Sequence, residues 1–128
     1  MATERELKHL SEQERMALDA FLARLRATHG REVSQVQLFG SKARGDFDAE
    51  SDIDLLVVVE RDGRRLWNDV MALETDLILE YDTVISSLIM SREDYEWHKL
   101  HRAPLYRNVE REGVDLWTST SALSSLSG

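Results

Sequence analysis

The chain has no cysteine, which excludes a disulfide framework and any metal site built on thiolates, so a metal would have to be held by oxygen or imidazole. The same absence fits a reducing cytoplasm. Nowhere do eighteen apolar residues run together, and the first ten residues carry Glu4, Arg5, Glu6 and Lys8. Neither a membrane span nor a secretory leader is expected, and the chain reads as soluble and cytoplasmic. Basic residues are also scarce: 16 Lys and Arg face 24 Asp and Glu, a formal net charge of −8. That balance repels a phosphate backbone and argues against binding long nucleic acids, while leaving a small anion neutralised by a cation open. Proline occurs once, at Pro104. What remains is 128 residues, 42% of them hydrophobic, enough for one domain with a single core.

The patterning divides the chain into alternating elements. Ser11 and Glu14 have the spacing of a capping box, and Leu18, Phe21, Leu22 and Leu25 then fall on one helical face, which predicts a helix over about 12–28 stopped by Gly30. Val33 to Phe39 alternates as a strand does, and Ile53 to Val59 is apolar at nearly every position, as a strand covered on both faces should be. Leu66, Val70, Leu73 and Leu77 repeat at helical spacing, followed by a β-branched third strand around Thr83, Val84 and Ile85. Ser91 with Asp94 marks another helix start, and Pro104 separates a helix ending near Arg102 from one running to Glu112, closed by Gly113. The expected fold class is α/β (α+β): three strands in a small sheet flanked by helices, in a domain over 1–117. The serine-rich segment 118–128 reads as a disordered tail.

Chemistry concentrates between Phe39 and Val57. Gly40 and Ser41 sit where a strand ends and a helical turn begins, so backbone N–H groups and the Ser41 hydroxyl would meet an anion with no Cβ at Gly40 in the way. Asp52 and Asp54 stand two apart at the start of a strand, which sends both carboxylates to one face and Ile53 into the core. Two such charges repel and call for a cation, and magnesium takes carboxylate oxygens and completes its shell with substrate phosphates. The cradle and the carboxylate pair therefore read as one site.

Other readings fail on their own requirements. Gly40 to Gly45 has P-loop glycine spacing, but Asp46 and Phe47 stand where lysine and a hydroxyl residue are needed. A calcium loop from Asp46 lacks the glycine at its sixth position and has Val57 where the bidentate glutamate belongs. Asp46, Asp48 and Glu50 then read as a solvated acidic loop, and Lys42 as a solvated lysine. Ser41 lacks the flanking glycines of a hydrolase nucleophile. His98 and His101 share a helical face beside Trp97 without a metalloprotease pattern, and Trp67, Trp97 and Trp117 read as core or interface residues.

Gly40, Ser41, ten residues, Asp52, one residue and Asp54, with Ala43, Arg44, Gly45, Ser51 and Leu55 around them, resemble the signature of the DNA polymerase β nucleotidyltransferase superfamily, and of its minimal nucleotidyltransferase branch. The likeness is strong over 35–59 and weaker beyond, through strand order and the closing Arg111, Glu112, Gly113, Val114. It implies a nucleotidyltransferase fold with a small mixed sheet of three to four strands, and ATP as substrate with two magnesium ions held by Asp52, Asp54 and a third carboxylate. Asp82, before Thr83, Val84 and Ile85, is taken as that third ligand and as acceptor of the attacking hydroxyl's proton. Gly40, Ser41 and Arg44 would hold the triphosphate. Members of this branch are paired with an all-helical HEPN ribonuclease toxin, and the implied function is an antitoxin that transfers AMP to a tyrosine of that partner in a hetero-oligomer. The alternatives are adenylylation of a small hydroxylated molecule, such as an aminoglycoside, and neutralisation of the partner by binding alone.

Overall fold

A computed structural model describes residues 9–45 and 52–117. The acidic loop 46–51 and the serine-rich tail 118–128 lie outside the described residues. Ser11 opens the first helix, α1, Glu12–His29. Its hydroxyl accepts the Glu14 N–H at 3.1 Å, and its own N–H is accepted by the Glu14 carboxylate at 2.9 Å, which satisfies two donors that a helix start leaves bare. The elements that follow are β1 (Val33–Phe39), α2 (Ser41–Arg44), β2 (Ile53–Val59), α3 (Arg64–Tyr81), β3 (Ile85–Ser91), α4 (Arg92–Leu100), α5 (Pro104–Glu112) and β4 (Val114–Asp115).

The strands form one mixed sheet in the order β3-β2-β1-β4. β1 runs antiparallel to both β2 and β4, and β2 runs parallel to β3, with α3 as the crossover a parallel pair requires. Period-two alternation sorts β2 between two cores. Ile53, Leu55, Val57 and Val59 pack with Leu18, Phe21 and Leu25 of α1 and Val70 and Leu77 of α3. Leu56 and Val58 pack on the other face with Tyr95 of α4 and Val109 of α5. Burial on both faces explains the near-continuous apolar run. This is a mixed α/β fold with a four-stranded sheet flanked by helices.

Two boundaries differ from the sequence reading. The third strand begins at Ile85: Asp82 is the left-handed cap of α3, with φ 52° and ψ 40°, and the Thr83 hydroxyl turns back to the Tyr81 carbonyl. The fourth strand, β4, is two residues long and carries no periodic signal. It is held by Leu38↔Val114 and Gln37↔Asp115, and the cover of β1 is continued by Leu116 N–H to the Val36 carbonyl and the Trp117 indole N–H to the Val33 carbonyl at 3.1 Å. Arg26 of α1 lies 4.0 Å over the same ring. No helix among the described residues is long and apolar enough to cross a membrane.

Candidate nucleotide and metal site

β1 ends and β2 begins at the same end of the sheet, because the two strands are antiparallel and Phe39 pairs with Asp54. The chain turns out of β1 through Gly40 at φ 79° and ψ −159°, a region open essentially to glycine alone. A Cβ at this position would stand 2.5 Å from Asp54 Oδ2. The glycine thus serves both the turn and the contact between the α2 loop and the carboxylate.

Asp54 projects from β2, with Asp52 just before the strand, on the face that carries Leu56 and Val58, the α4–α5 side. Burial and then the neighbouring Asp52 charge raise the Asp54 carboxyl above its ordinary range, while the Arg44 guanidinium opposes the shift. A site that strains one carboxylate towards its neutral form favours a cation. The parallel register places Ser86 beside Asp54, and the Ser86 hydroxyl donates to Asp52 Oδ2 at 3.1 Å.

Asp82 is not brought to this pair. Among the described residues no group of three Asp, Glu, His or Cys side chains is placed to hold a metal. The residue that β3 presents to the carboxylates is Ser86, four positions later. The physical reason is the left-handed cap: Asp82 donates its N–H to the Ile78 carbonyl at 2.9 Å, which ends α3 and delays the strand.

The cradle residues are fixed by their own turn. The Gly40 carbonyl accepts both Ala43 and Arg44 N–H at 3.1 Å, and Gly45, left-handed at φ 90°, donates to Ser41 at 2.7 Å. The Ser41 N–H and hydroxyl make no hydrogen bond among the described residues, as anion donors in waiting would not. The Gly40 N–H is already used: it donates to Glu112 Oε1 at 3.0 Å, and Arg44 Nη1 reaches the same oxygen at 3.0 Å. Of the expected donors, then, Ser41 is open, and Gly40 and Arg44 are tied to the last residue of α5. Sequence reasoning placed Glu112 only in a closing pattern, since nothing local relates it to a loop some seventy residues earlier.

Lys42 is not solvated. It is buried and pairs with Glu14 Oε2 at 2.8 Å, so the capping glutamate of α1 also anchors α2. His98 and His101 flank Trp97 as expected, with the His101 ring stacked 4.3 Å from the indole. Trp117 is buried, whereas Trp67 and Trp97 stay half exposed.

The sequence profile of the nucleotidyltransferase domain matches residues 18–116. The candidate protein adenylyltransferase MJ0604 of Methanocaldococcus jannaschii is 36% identical over 104 residues, covering 81% of this chain and 98% of that protein. A second candidate protein adenylyltransferase of the same organism, MJ0141, is 33% identical over 85 residues, 66% of this chain and 79% of that protein. Among solved structures, a mutant form of the toxin–antitoxin MntA-HpeT aligns with 84% of this chain and 72% of that one, at 23% identity and a TM-score of 0.49.

Proposed function

The chain belongs to the nucleotidyltransferase domain family, and from that premise we propose that it transfers AMP from ATP to a protein hydroxyl, a tyrosine of a HEPN toxin for which it is the antitoxin. The observation that carries this is the contact of the Gly40 turn with Asp54, which makes an anion cradle and a carboxylate pair into one site. Protein as acceptor is supported by the two relatives named as candidate protein adenylyltransferases, one of them covered over 98% of its length.

The residues present fit magnesium. Asp52 and Asp54 supply two carboxylates, one with its pKa raised by burial and by its neighbour, and this cation is commonly held by one or two carboxylates together with substrate phosphates. When bound, it would neutralise phosphate charge and favour the acceptor oxygen as a nucleophile. The chain's own contribution is position and charge. Ser41 meets the phosphates with its N–H and hydroxyl, and Arg44 opposes their charge with a planar fork. Ser86 orients Asp52. In the transfer, the acceptor oxygen bonds to the α-phosphorus as the bond to the bridging oxygen breaks, releasing pyrophosphate and the acceptor's proton. Alignment and charge neutralisation carry the rate. Asp82 stays outside this set, as the cap of α3.

Incubation of the HEPN partner with this chain, magnesium and ATP labelled at the α- or the γ-phosphate tests the proposal. The expected result is label from the α-phosphate alone, retained on a partner tyrosine. Asp52→Asn and Asp54→Asn are each expected to reduce labelling at least about a hundredfold, as losses of charge at a metal site do. An unmodified partner, or labelling by either variant that equals the parent's, sinks the reading.

A further inference from the structure

Glu112 is an acid where a nucleotide-binding loop should repel one. It closes α5, its side chain is 8% exposed, and a single oxygen, Oε1, accepts both the Gly40 N–H and Arg44 Nη1. Its other oxygen, Oε2, is buried with no hydrogen-bond partner among the described residues. Burying a carboxylate and leaving one oxygen unmet is costly, so what the first oxygen holds must compensate. It holds two of the three cradle residues.

The fold places it there by continuing the sheet. β4 pairs with Gln37 and Leu38 and stops short of Gly40, so the Gly40 N–H on that side has no strand to meet. The Glu112 carboxylate takes the place of the missing backbone acceptor. Gly113 permits the approach, since a Cβ there would lie 2.6 Å from Gln37 Oε1.

We infer that Glu112 is a positioning residue for nucleotide binding: it acts on the triphosphate only through Arg44 and the Gly40 turn, by fixing both before the nucleotide arrives. An arginine side chain is long and rotamer-rich, and its ordering is part of the cost of any complex it joins. A guanidinium anchored beforehand at the mouth of the cradle has met that cost in the free protein. This rests on the proposed function only in taking the cradle as the phosphate site, and it does not depend on the acceptor.

The test is binding of a nonhydrolysable ATP analogue with magnesium to the full chain, followed by calorimetry. Glu112→Gln keeps an oxygen for the Gly40 N–H and removes the charge that holds Arg44. Its Kd is expected to rise on the order of tenfold, the worth of one charge-assisted contact. Arg44→Ala is expected to weaken binding by the same order. The double variant should be no weaker than Arg44→Ala, because a residue acting through arginine has nothing left to act through. A purely structural role would instead give additive losses. Unchanged or tighter binding by Glu112→Gln, or additivity in the double variant, overturns the inference. Should Glu112→Gln melt below the assay temperature, half-exposed Arg44→Gln replaces it, and unweakened binding there overturns the inference equally. If the parent chain does not bind the analogue at all, this inference and the proposed function fall together. Intact binding without transfer to any partner overturns the acceptor alone.

Discussion

Gly40 and Gly63 are both helix caps, and only one needs to be glycine. At Gly40 the backbone is left-handed, at φ 79°, and an added methyl would stand 2.5 Å from Asp54 Oδ2. At Gly63 it is extended, at φ −153°, and an added methyl meets nothing within 4 Å. Gly40→Ala is therefore expected to cost about 1–3 kcal/mol of stability from backbone strain alone and to abolish magnesium-dependent nucleotide binding, because relief of the clash moves either the turn or the carboxylate. Gly63→Ala should melt and bind as the parent does. Thermal melts and analogue titrations of the two variants check the contrast, and Gly40→Ala binding like the parent would refute it.

Helices α1 and α3 lie antiparallel on one face of the sheet, bridged along their length by Gln13 to the Tyr81 carbonyl, Arg24 to Glu80 and His29 to Asp69. The last bridge titrates. His29 is buried, with Nε2 2.8 Å from Asp69 and Nδ1 3.0 Å from Glu32, so both ring nitrogens donate only in the imidazolium. Burial opposes that charge, but the hydrogen bonds and charges of Asp69 and Glu32 outweigh it and raise the pKa above 6.5. A raised pKa in the folded state means the stabilisation is fully present below the unfolded value and is lost as pH rises through the folded one. The stability difference between the parent and His29→Gln should thus be largest near about pH 5.5 and shrink towards about pH 9, by on the order of 1 kcal/mol for half-exposed acid partners. Denaturant melts at both pH values measure it, and a difference that grows with pH would refute the assignment.

Elements with local signals were legible in sequence. The Ser11–Glu14 box, the double-sided apolar run of β2 and the Pro104 helix start all stand where the pattern places them, because capping, period and ring geometry act within a few residues. The approach of the Gly40 turn to Asp54 was legible for the same reason, since both stand at the ends of strands that the pattern marks. What sequence did not disclose depends on contacts between distant elements. Lys42 is buried because α1 supplies Glu14. Thr83 and Val84 have strand propensity, but the Asp82 cap holds them outside β3. β4 is too short to have a period and exists by pairing with β1. Glu112 reaches the cradle only because that pairing brings the end of α5 to Gly40.

At the scale of the molecule, the last described residues close the structure rather than trail from it. β4 covers the outer edge of β1, and the Trp117 ring is buried with its N–H on the Val33 carbonyl and Arg26 across its face. Trp117 N–H is itself accepted by Asp115 Oδ1 at 2.9 Å, which turns the ring back towards α1. The edge strand, the first core and the placement of Glu112 are in this way one mechanical unit. A chain ending after Trp117 should keep every one of these contacts, and its melting temperature and analogue binding are expected to match those of the full chain. A chain ending after Gly113 loses the strand and the indole together. Removing a buried tryptophan alone costs about 3–5 kcal/mol, a large part of the total stability of about 5–15 kcal/mol typical of a domain. The shorter chain should therefore be largely unfolded at 37 °C, and whatever folds should bind nucleotide weakly because Glu112 is no longer fixed against Gly40. Circular dichroism melts of both truncations decide it. A Gly113-terminated chain that melts like the parent would mean that β4 and Trp117 do not close the fold, and a Trp117-terminated chain that fails to fold would place part of the domain beyond residue 117.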